Sequence, residues 1–218
     1  MTGGDASLDA LREALSADSA STRLRAALQA GSDGGAHLVG RLIERCAVET
    51  DFYVRDMLTW ALTRCPTAST VPVLLAELRS PIAQARSQAL HSLSKIQEPG
   101  TWPAVTAALL GDVDDEVARS AWRAAVVLVP QDQRAELAVA LSSQFARGDR
   151  SLQLSLSRAL IALGEAAIEP VLRRARASED PAVRAHAAAT ERLLRDPDAA
   201  FELDLREAKR AFVLGRQR

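Results

Sequence analysis

The sequence predicts an all-α protein, an α-solenoid in which about six helical hairpins stack on one another and a C-terminal helix caps the last. Three observations support this fold class. Aromatic residues make up only 4% of the 218 residues, while alanine, leucine and arginine, which lose little side-chain freedom in a helix, are frequent. One pattern recurs about every 32 residues. Within each recurrence, small or apolar residues return at steps of three and four, the spacing of one helical face.

The recurrence is clearest in two stretches of the chain. In each, a first helix is predicted to open with a proline in its first turn, Pro72 or Pro170, and a second helix begins near an arginine, Arg86 or Arg184. This marker position returns after 31 to 35 residues. Its occupants are Arg23, Arg55, Arg86, Ala118, Gln153 and Arg184. An aspartate stands four residues before the marker in four of the hairpins, where it can cap the second helix.

The spacing also predicts how the chain is divided. We expect residues 1–6 to be disordered, residues 7–197 to form the solenoid, and residues 198–218 to form a capping helix and tail. The predicted hairpins span residues 7–33, 36–66, 69–98, 101–130, 131–164 and 165–197. The extra residues of the fifth hairpin are placed at 145–150. The alternative for the last segment is a free amphipathic helix that binds a partner or a membrane, since its apolar residues fall on one stripe.

These hairpins resemble HEAT repeats, specifically the short bacterial repeats similar to those of phycobilisome lyases. The resemblance covers about Leu8 to Arg195 and is carried by the recurring proline, aspartate and arginine positions. It implies a right-handed α-α superhelix of the armadillo-like helical kind, with the second helices lining a concave groove. In this family the marker arginine and the turn aspartate form a ladder between successive hairpins. The resemblance therefore implies structural roles for Arg55, Arg86, Arg184, Asp51 and Asp180, with interruptions at the alanine and glutamine markers.

Charge and cysteine content exclude several classes of protein. Lys+Arg number 27 and Asp+Glu 28, and a net charge of −1 does not indicate general attraction to nucleic acid or to an anionic membrane. Cys46 and Cys65 are too few for a disulfide framework, so we expect a reduced cytoplasmic protein in which both thiols are buried. The chain start lacks the pattern of a signal peptide, and no apolar run is long enough to span a bilayer.

No residues show the spacing that a catalytic or metal site requires. His37, His91 and His186 lie in different hairpins, and no pair of them has metal-ligand spacing. The acidic turn at residues 112–116 is interpreted as a solvated helix start. We therefore expect no enzymatic activity, no catalytic residues, no metal and no cofactor.

The candidate binding site is the outward face of the second helices. Side chains one and five residues after the marker point away from the core and would line the groove. The candidates are Asp56, Trp60, His91, Arg119, Arg123 and Arg158. Aromatic and arginine side chains anchor many interfaces, so this row predicts a scaffold or regulatory module that binds a protein or peptide. The alternative is that Trp60 and Trp122 fill gaps between neighbouring hairpins.

Two further functions remain open from the sequence. The first is nucleic-acid binding in the manner of HEAT-like alkylpurine DNA glycosylases, because the groove row is locally basic and Trp60 could stack on a base. Against it, basic residues are few overall, and no catalytic aspartate can be aligned. The second is a bilin lyase or isomerase activity, which follows from the resemblance alone, since no residue indicates bilin chemistry.

Overall fold

The computed structural model describes residues 3–196, and in this part of the chain six helical hairpins follow one another without a β-strand. The first helices are α1 (Gly3–Leu15), α3 (Val39–Val48), α5 (Thr67–Glu77), α7 (Ala107–Leu110), α9 (Arg134–Ser142) and α11 (Glu165–Arg176). The second helices are α2 (Ala20–Asp33), α4 (Phe52–Arg64), α6 (Ala83–Ile96), α8 (Asp115–Leu128), α10 (Arg150–Ala162) and α12 (Pro181–Arg195). The predicted all-α class and its repeated hairpins are confirmed.

The hairpins belong to two compact units, Met1–Pro130 and Gln131–Arg218. In the first unit the second helices pack side by side, α2 on α4 and α6 on α8, while α6 also packs on α3 and α5. In the second unit α9 packs on α11 and α10 packs on α12. Successive hairpins stack within each unit because a single hairpin cannot bury its own apolar side.

The structure describes part of the predicted N-terminal segment and none of the predicted C-terminal helix. Residues 1–6 are predicted to be disordered, and in the structure helix α1 begins at Gly3. An N-terminal segment without strong apolar character can still extend a helix whose later turns are packed, as α1 packs on α2. The predicted capping helix, 198–218, lies outside the described residues.

The prolines of the first helices lie deeper than predicted. Helix α5 begins at Thr67 and α11 at Glu165, so Pro72 and Pro170 are each the sixth residue rather than part of the first turn. In α5 the extra turn is held at its start by Thr70, whose N–H and hydroxyl both donate to the Pro66 carbonyl at 3.0 Å.

The fourth hairpin has an interrupted first helix. A 3-10 helix covers Pro99–Ala104, and only four residues follow in α7. The indole of Trp122 is buried here, and its Nε1–H donates to the Leu110 carbonyl at 2.8 Å. Trp122 is therefore a core residue that holds the end of α7 against α8.

A buried histidine connects several segments of the second unit by hydrogen bonds. Residues 143–149 connect α9 to α10, and Ala146 has a left-handed backbone with φ 68°. The Ala146 N–H donates to His186 Nδ1 at 3.0 Å, so the neutral ring carries its proton on Nε2. Nε2 lies 3.0 Å from the Gln153 carbonyl and 3.1 Å from Ser157 Oγ. His186 thus joins α12 to both the turn and α10.

Acidic pH is expected to weaken the hydrogen bonding of His186. Burial lowers the pKa of His186, an effect that the hydrogen bond to the Gln153 carbonyl partly opposes. Protonation of Nδ1 would remove the acceptor for Ala146 N–H. Since the folded-state pKa lies below that of an unfolded histidine, the stability contribution is complete above about pH 6.5 and is lost as the pH falls through the folded-state pKa.

Urea unfolding measured between about pH 8 and about pH 5 checks this expectation. In His186→Asn, which keeps an acceptor but does not titrate, the fall in stability over this range should be smaller than in the wild type. The exposed His37→Asn is the matched control and should retain the wild-type slope. Identical slopes for the wild type and His186→Asn would contradict the assignment.

Candidate binding surface on the second helices

The marker residues hold the turns of their own hairpins. Arg23 Nη1 donates to the carbonyls of Ala17 and Asp18 at 2.9 and 2.7 Å. Arg55, Arg86 and Arg184 donate in the same way to carbonyls five or six residues before them. The Gln153 amide replaces the arginine and reaches the Gly148 carbonyl at 3.2 Å. These five markers therefore satisfy turn carbonyls that have no helical partner, whereas the sixth, Ala118, has no side-chain donor.

At two junctions the marker arginine also joins one hairpin to the next. Arg23 Nε and Nη2 donate to the two carboxylate oxygens of Glu49 at 2.7 and 2.8 Å. Arg86 Nε and Nη2 donate to those of Asp112, both at 3.0 Å. We term these two bidentate pairs the rungs. They fix α2 and α6 against the turns that precede α4 and α8, and so position the second helices.

The rungs use different carboxylates from those that the resemblance implies. Asp51 accepts hydrogen bonds from the N–H groups of Tyr53 and Val54, and Asp180 accepts a hydrogen bond from the N–H group of Ala182. The implied ladder role of Asp51 and Asp180 is wrong, because their short side chains cap the helices that they precede. Of the implied arginines, Arg86 forms a rung. Arg55 and Arg184 hydrogen-bond only turn carbonyls within residues 3–196.

Glu49 is a fully buried charge. Its carboxylate accepts hydrogen bonds from Arg23, from Arg45 Nε at 2.9 Å and from the Asp51 N–H at 2.9 Å. Burial by itself raises the pKa of this carboxyl, but the hydrogen bonds from Arg23, the Asp51 N–H and Arg45 outweigh it and lower the pKa to about 2. Glu49 therefore stays ionised and anchors two arginines.

The junction between the second and third hairpins has no such rung. Ser80 stands where the other turns carry Glu49 or Asp112. Here the amide of Gln84 donates to the carbonyls of Cys46 and Glu49 at 2.8 and 2.7 Å. Helices α4 and α6 contact each other less extensively than α2 and α4 or α6 and α8 do.

Three of the predicted binding residues lie within electrostatic range of one another on the second helices of the first unit. Asp56 lies on α4, His91 on α6 and Arg123 on α8, and the charges of Asp56 and Arg123 both act on His91. Burial lowers the pKa of His91, Lys95 and Arg123 lower it as well, and Asp56 opposes them. His91 is therefore mainly neutral at pH 7 and offers one donor and one acceptor. Sequence reasoning missed Lys95, although it follows His91 by four residues, one helical turn.

Trp60 is partly exposed and partly packed against a neighbouring helix. Its side chain is 38% exposed, and the edge of its ring lies directly over Gly31 of α2. One part of the indole thus packs on a neighbouring helix while another faces solvent, one turn after Asp56 on α4. This position accommodates both interpretations of Trp60, as a gap-filling residue and as a binding residue.

The other two candidates are Arg119, one helical turn before Arg123 on α8, and Arg158 on α10. The Nε of Arg119 lies 3.5 Å from Glu116 Oε1, three residues earlier on α8. Arg158 is exposed on α10 and belongs to the second unit, whereas the other five candidates belong to the first.

The thiols and the acidic residues show no arrangement typical of chemistry. Cys46 and Cys65 are buried, and burial raises the pKa of Cys46 to about 12. No group of three His, Cys, Asp or Glu side chains in the described part of the chain is placed to hold a metal ion. Of the helices within residues 3–196, none has the length and apolar character needed to cross a membrane.

Comparison with known proteins shows what part of this chain is similar to. The sequence model for HEAT repeats matches residues 39–125. No match is found among curated proteins. An engineered protein of known crystal structure shares 19% identity over 87% of this chain and 96% of its own, with a TM-score of 0.46. The complex of CpcE and CpcF of phycocyanin lyase from Nostoc sp. PCC7120 shares 20% identity over 83% of this chain and 74% of its own, with a TM-score of 0.47. The matched residues 39–125 carry Asp56, Trp60, His91 and Arg123, so these four candidates lie in the part of the chain that is similar to HEAT repeats.

Proposed function

We propose that this protein is a non-catalytic scaffold or regulatory module that binds a protein or peptide segment along the second helices of its first unit. The observation that carries the proposal is that Asp56, His91 and Arg123 lie on three consecutive second helices, close enough for the charges of Asp56 and Arg123 to act on His91. Asp56 and Arg123 are exposed and His91 is half-buried. Helix packing needs apolar side chains, so a line of charged and polar ones across three helices favours a contact surface.

The surface offers complementary contacts to such a segment. Asp56 accepts hydrogen bonds, Lys95 and Arg123 provide positive charge, and the exposed part of Trp60 adds apolar area. Indole and guanidinium groups are frequent anchors in interfaces because they combine apolar area with directed hydrogen bonds. A segment with an apolar side chain and charges of both signs would fit this row.

The proposal assigns no catalysis and no cofactor to the protein. Two observations support this part of it. The raised pKa keeps the Cys46 thiol protonated, and a protonated thiol is a poor nucleophile. The ring nitrogens of His186 are engaged with Ala146, Gln153 and Ser157, which is a structural arrangement.

Affinity capture with the full chain, from a lysate of the cells that make it, tests the proposal. The wild type is expected to retain a specific protein, and Trp60→Ala combined with Arg123→Ala should reduce its recovery about tenfold or more, the effect of losing two anchors. Glu136→Ala with Val139→Ala, on the exposed side of α9, is the matched control and should leave recovery unchanged. Circular dichroism confirms that each variant keeps its helix content.

Two results would contradict the proposal. One is equal recovery by the wild type and the Trp60 and Arg123 double variant. The other is retention of nucleic acid that is released steeply as salt rises, because phosphate contacts produce that dependence. The second result would favour the nucleic-acid alternative.

A further inference from the structure

A row of apolar side chains is exposed along one edge of the first unit. Val113 is 96% exposed and Tyr53 is 72% exposed, and Phe52 and Ile82 are exposed as well. All four lie where the turns lead into the second helices α4, α6 and α8. The rings of Phe52 and Tyr53 contact each other edge to face, with centroids 5.6 Å apart. We term these four residues the turn ridge.

Hydrogen bonds between hairpins place the three turns side by side. Gln84, at the start of α6, reaches the Glu49 carbonyl at 2.7 Å, so the turn of Ile82 lies beside the turn that leads to Phe52. Arg86 reaches Asp112 at 3.0 Å, which brings the turn of Val113 to the other side of Ile82. The turn ridge is therefore one surface that crosses three consecutive hairpins.

The fold does not account for apolar residues at these positions. The side chains that cap the other described second helices are Ser19, Asp51, Asp114, Asp149 and Asp180. Ile82 occupies the same position before α6, which consequently has no side-chain cap. An apolar residue there weakens the helix start, and exposed apolar side chains gathered on one edge are typical of contact surfaces.

Carboxylates lie at both ends of the turn ridge. Asp115 and Glu116 are exposed in the first turn of α8, beside Val113. Asp18 is exposed in the turn before α2, which the Arg23–Glu49 rung holds against the turn that leads to Phe52. Arg79 is the exposed cation of the turn before Ile82. Acidic groups thus outnumber basic ones along this edge, which favours a basic partner.

We propose that the turn ridge docks an amphipathic helical segment of a partner protein, with its apolar face on Tyr53, Ile82 and Val113 and its basic residues near Asp115 and Glu116. Neighbouring helices are about 8–10 Å apart, so three turns span roughly 20 Å, the length of a helix of about 13 residues. This surface lies at the turns rather than along the outward face of the second helices, so binding here is independent of the proposed groove.

The single tyrosine of the chain provides a direct probe of this surface. Labelling the full-length protein with 3-fluorotyrosine places one ¹⁹F signal on the turn ridge, at Tyr53. The probes are two synthetic helical peptides of about 14 residues, both with leucine on one face, one with lysine and the other with glutamate on the opposite face. The lysine peptide is expected to shift the signal saturably, with a dissociation constant about tenfold or more below that of the glutamate peptide.

Ile82→Ser separates binding from folding. Serine restores a side-chain acceptor before α6, so the urea midpoint should rise while the lysine peptide binds about tenfold or more weakly. Val113→Ser should weaken binding similarly, and Val139→Ser on α9 is the control that should change nothing.

Each of the opposite outcomes would overturn the proposal. These are the lack of a saturable shift with either peptide, equal binding of the two peptides, and unchanged binding by Ile82→Ser and Val113→Ser. A ¹⁹F shift that depends on protein concentration alone, together with a dimer in analytical ultracentrifugation, would show that a second copy of this chain covers the turn ridge instead.

Discussion

Replacing Glu49 by glutamine is expected to lower the free energy of unfolding by about 3–5 kcal/mol. Glutamine has nearly the same shape, so the variant removes charge without creating a cavity. The buried guanidinium of Arg23 would then face a neutral amide in place of a carboxylate that accepts two of its hydrogen bonds. The cost is large because an unpaired charge would remain out of contact with water.

Urea unfolding of two further variants calibrates this loss. Glu44→Gln removes a carboxylate that pairs with Arg41 on the exposed side of α3, and it should cost less than about 1 kcal/mol. Asp112→Asn breaks the partly exposed rung with Arg86, and its loss in the free energy of unfolding should lie between those of Glu49→Gln and Glu44→Gln. A loss in Glu49→Gln no greater than that in Glu44→Gln would show that the buried rung does not stabilise the fold.

The Glu49 carboxylate should also make the stability of the fold depend on pH in the acid range. Its pKa is about 2 in the folded protein, against an ordinary value of 4.5. The stabilisation is therefore complete above about pH 4.5 and is lost as the pH falls toward about 2. Glu49→Gln should flatten the dependence of stability on pH in this range.

Replacing Gly31 by alanine is expected to lower the free energy of unfolding by about 1–3 kcal/mol. An alanine Cβ would lie 2.6 Å from Trp60 Cε3 and 2.9 Å from Ala61 Cα. The indole could rotate away, but the Ala61 backbone can move only with α4. Helices α2 and α4 would therefore have to separate along a tightly packed interface.

Gly40→Ala is the matched control for this substitution. Gly40 lies in α3, and no atom outside its own helix lies within 4 Å of the position of an added Cβ. Since alanine favours the helix over glycine, this change should be neutral or stabilise by up to about 1 kcal/mol. Similar losses in both variants, measured by urea unfolding, would mean that the close approach at Gly31 does not limit packing.

Repetition made the hairpins predictable. The periodic pattern is averaged over six copies, and six hairpins follow one another in the described part of the chain, although the first and the third begin before their predicted ranges. Events that occur once were not predictable in this way. The break between Pro99–Ala104 and α7 depends on packing around Trp122, which occurs in a single hairpin.

The rung carboxylates show why a regular pattern can mislead. Aspartate four residues before the marker recurs in four hairpins, and this regularity suggested a ladder. It reflects helix capping, which every hairpin needs at the same position. Glu49 and Asp112 stand two residues earlier and occur at two junctions. The sequence pattern that marks these two carboxylates involves a pair of residues, an arginine followed by an acidic residue 26 positions later.

The two proposed surfaces were predictable to different degrees. Helical periodicity was enough to place Asp56, His91 and Arg123 on one row, because it determines which side of a helix faces outward. The turn ridge was missed, since an apolar turn residue can be covered by a neighbouring hairpin and exposure is not a local property. Ile82 was the available signal, as an apolar residue where the repeat prefers a cap.

The neutral junction at Gln84 has a mechanical consequence for the first unit. Charged bidentate pairs tie the first hairpin to the second and the third to the fourth, whereas one amide ties the second to the third. Separating the Gln84 amide from its two carbonyls leaves no charge unpaired. Its hydrogen bonds therefore resist separation less than the charged pairs of the rungs do. We expect less resistance to relative movement of α4 and α6 than of the helices that the rungs join. Such movement would change the spacing between Asp56 of α4 and His91 of α6.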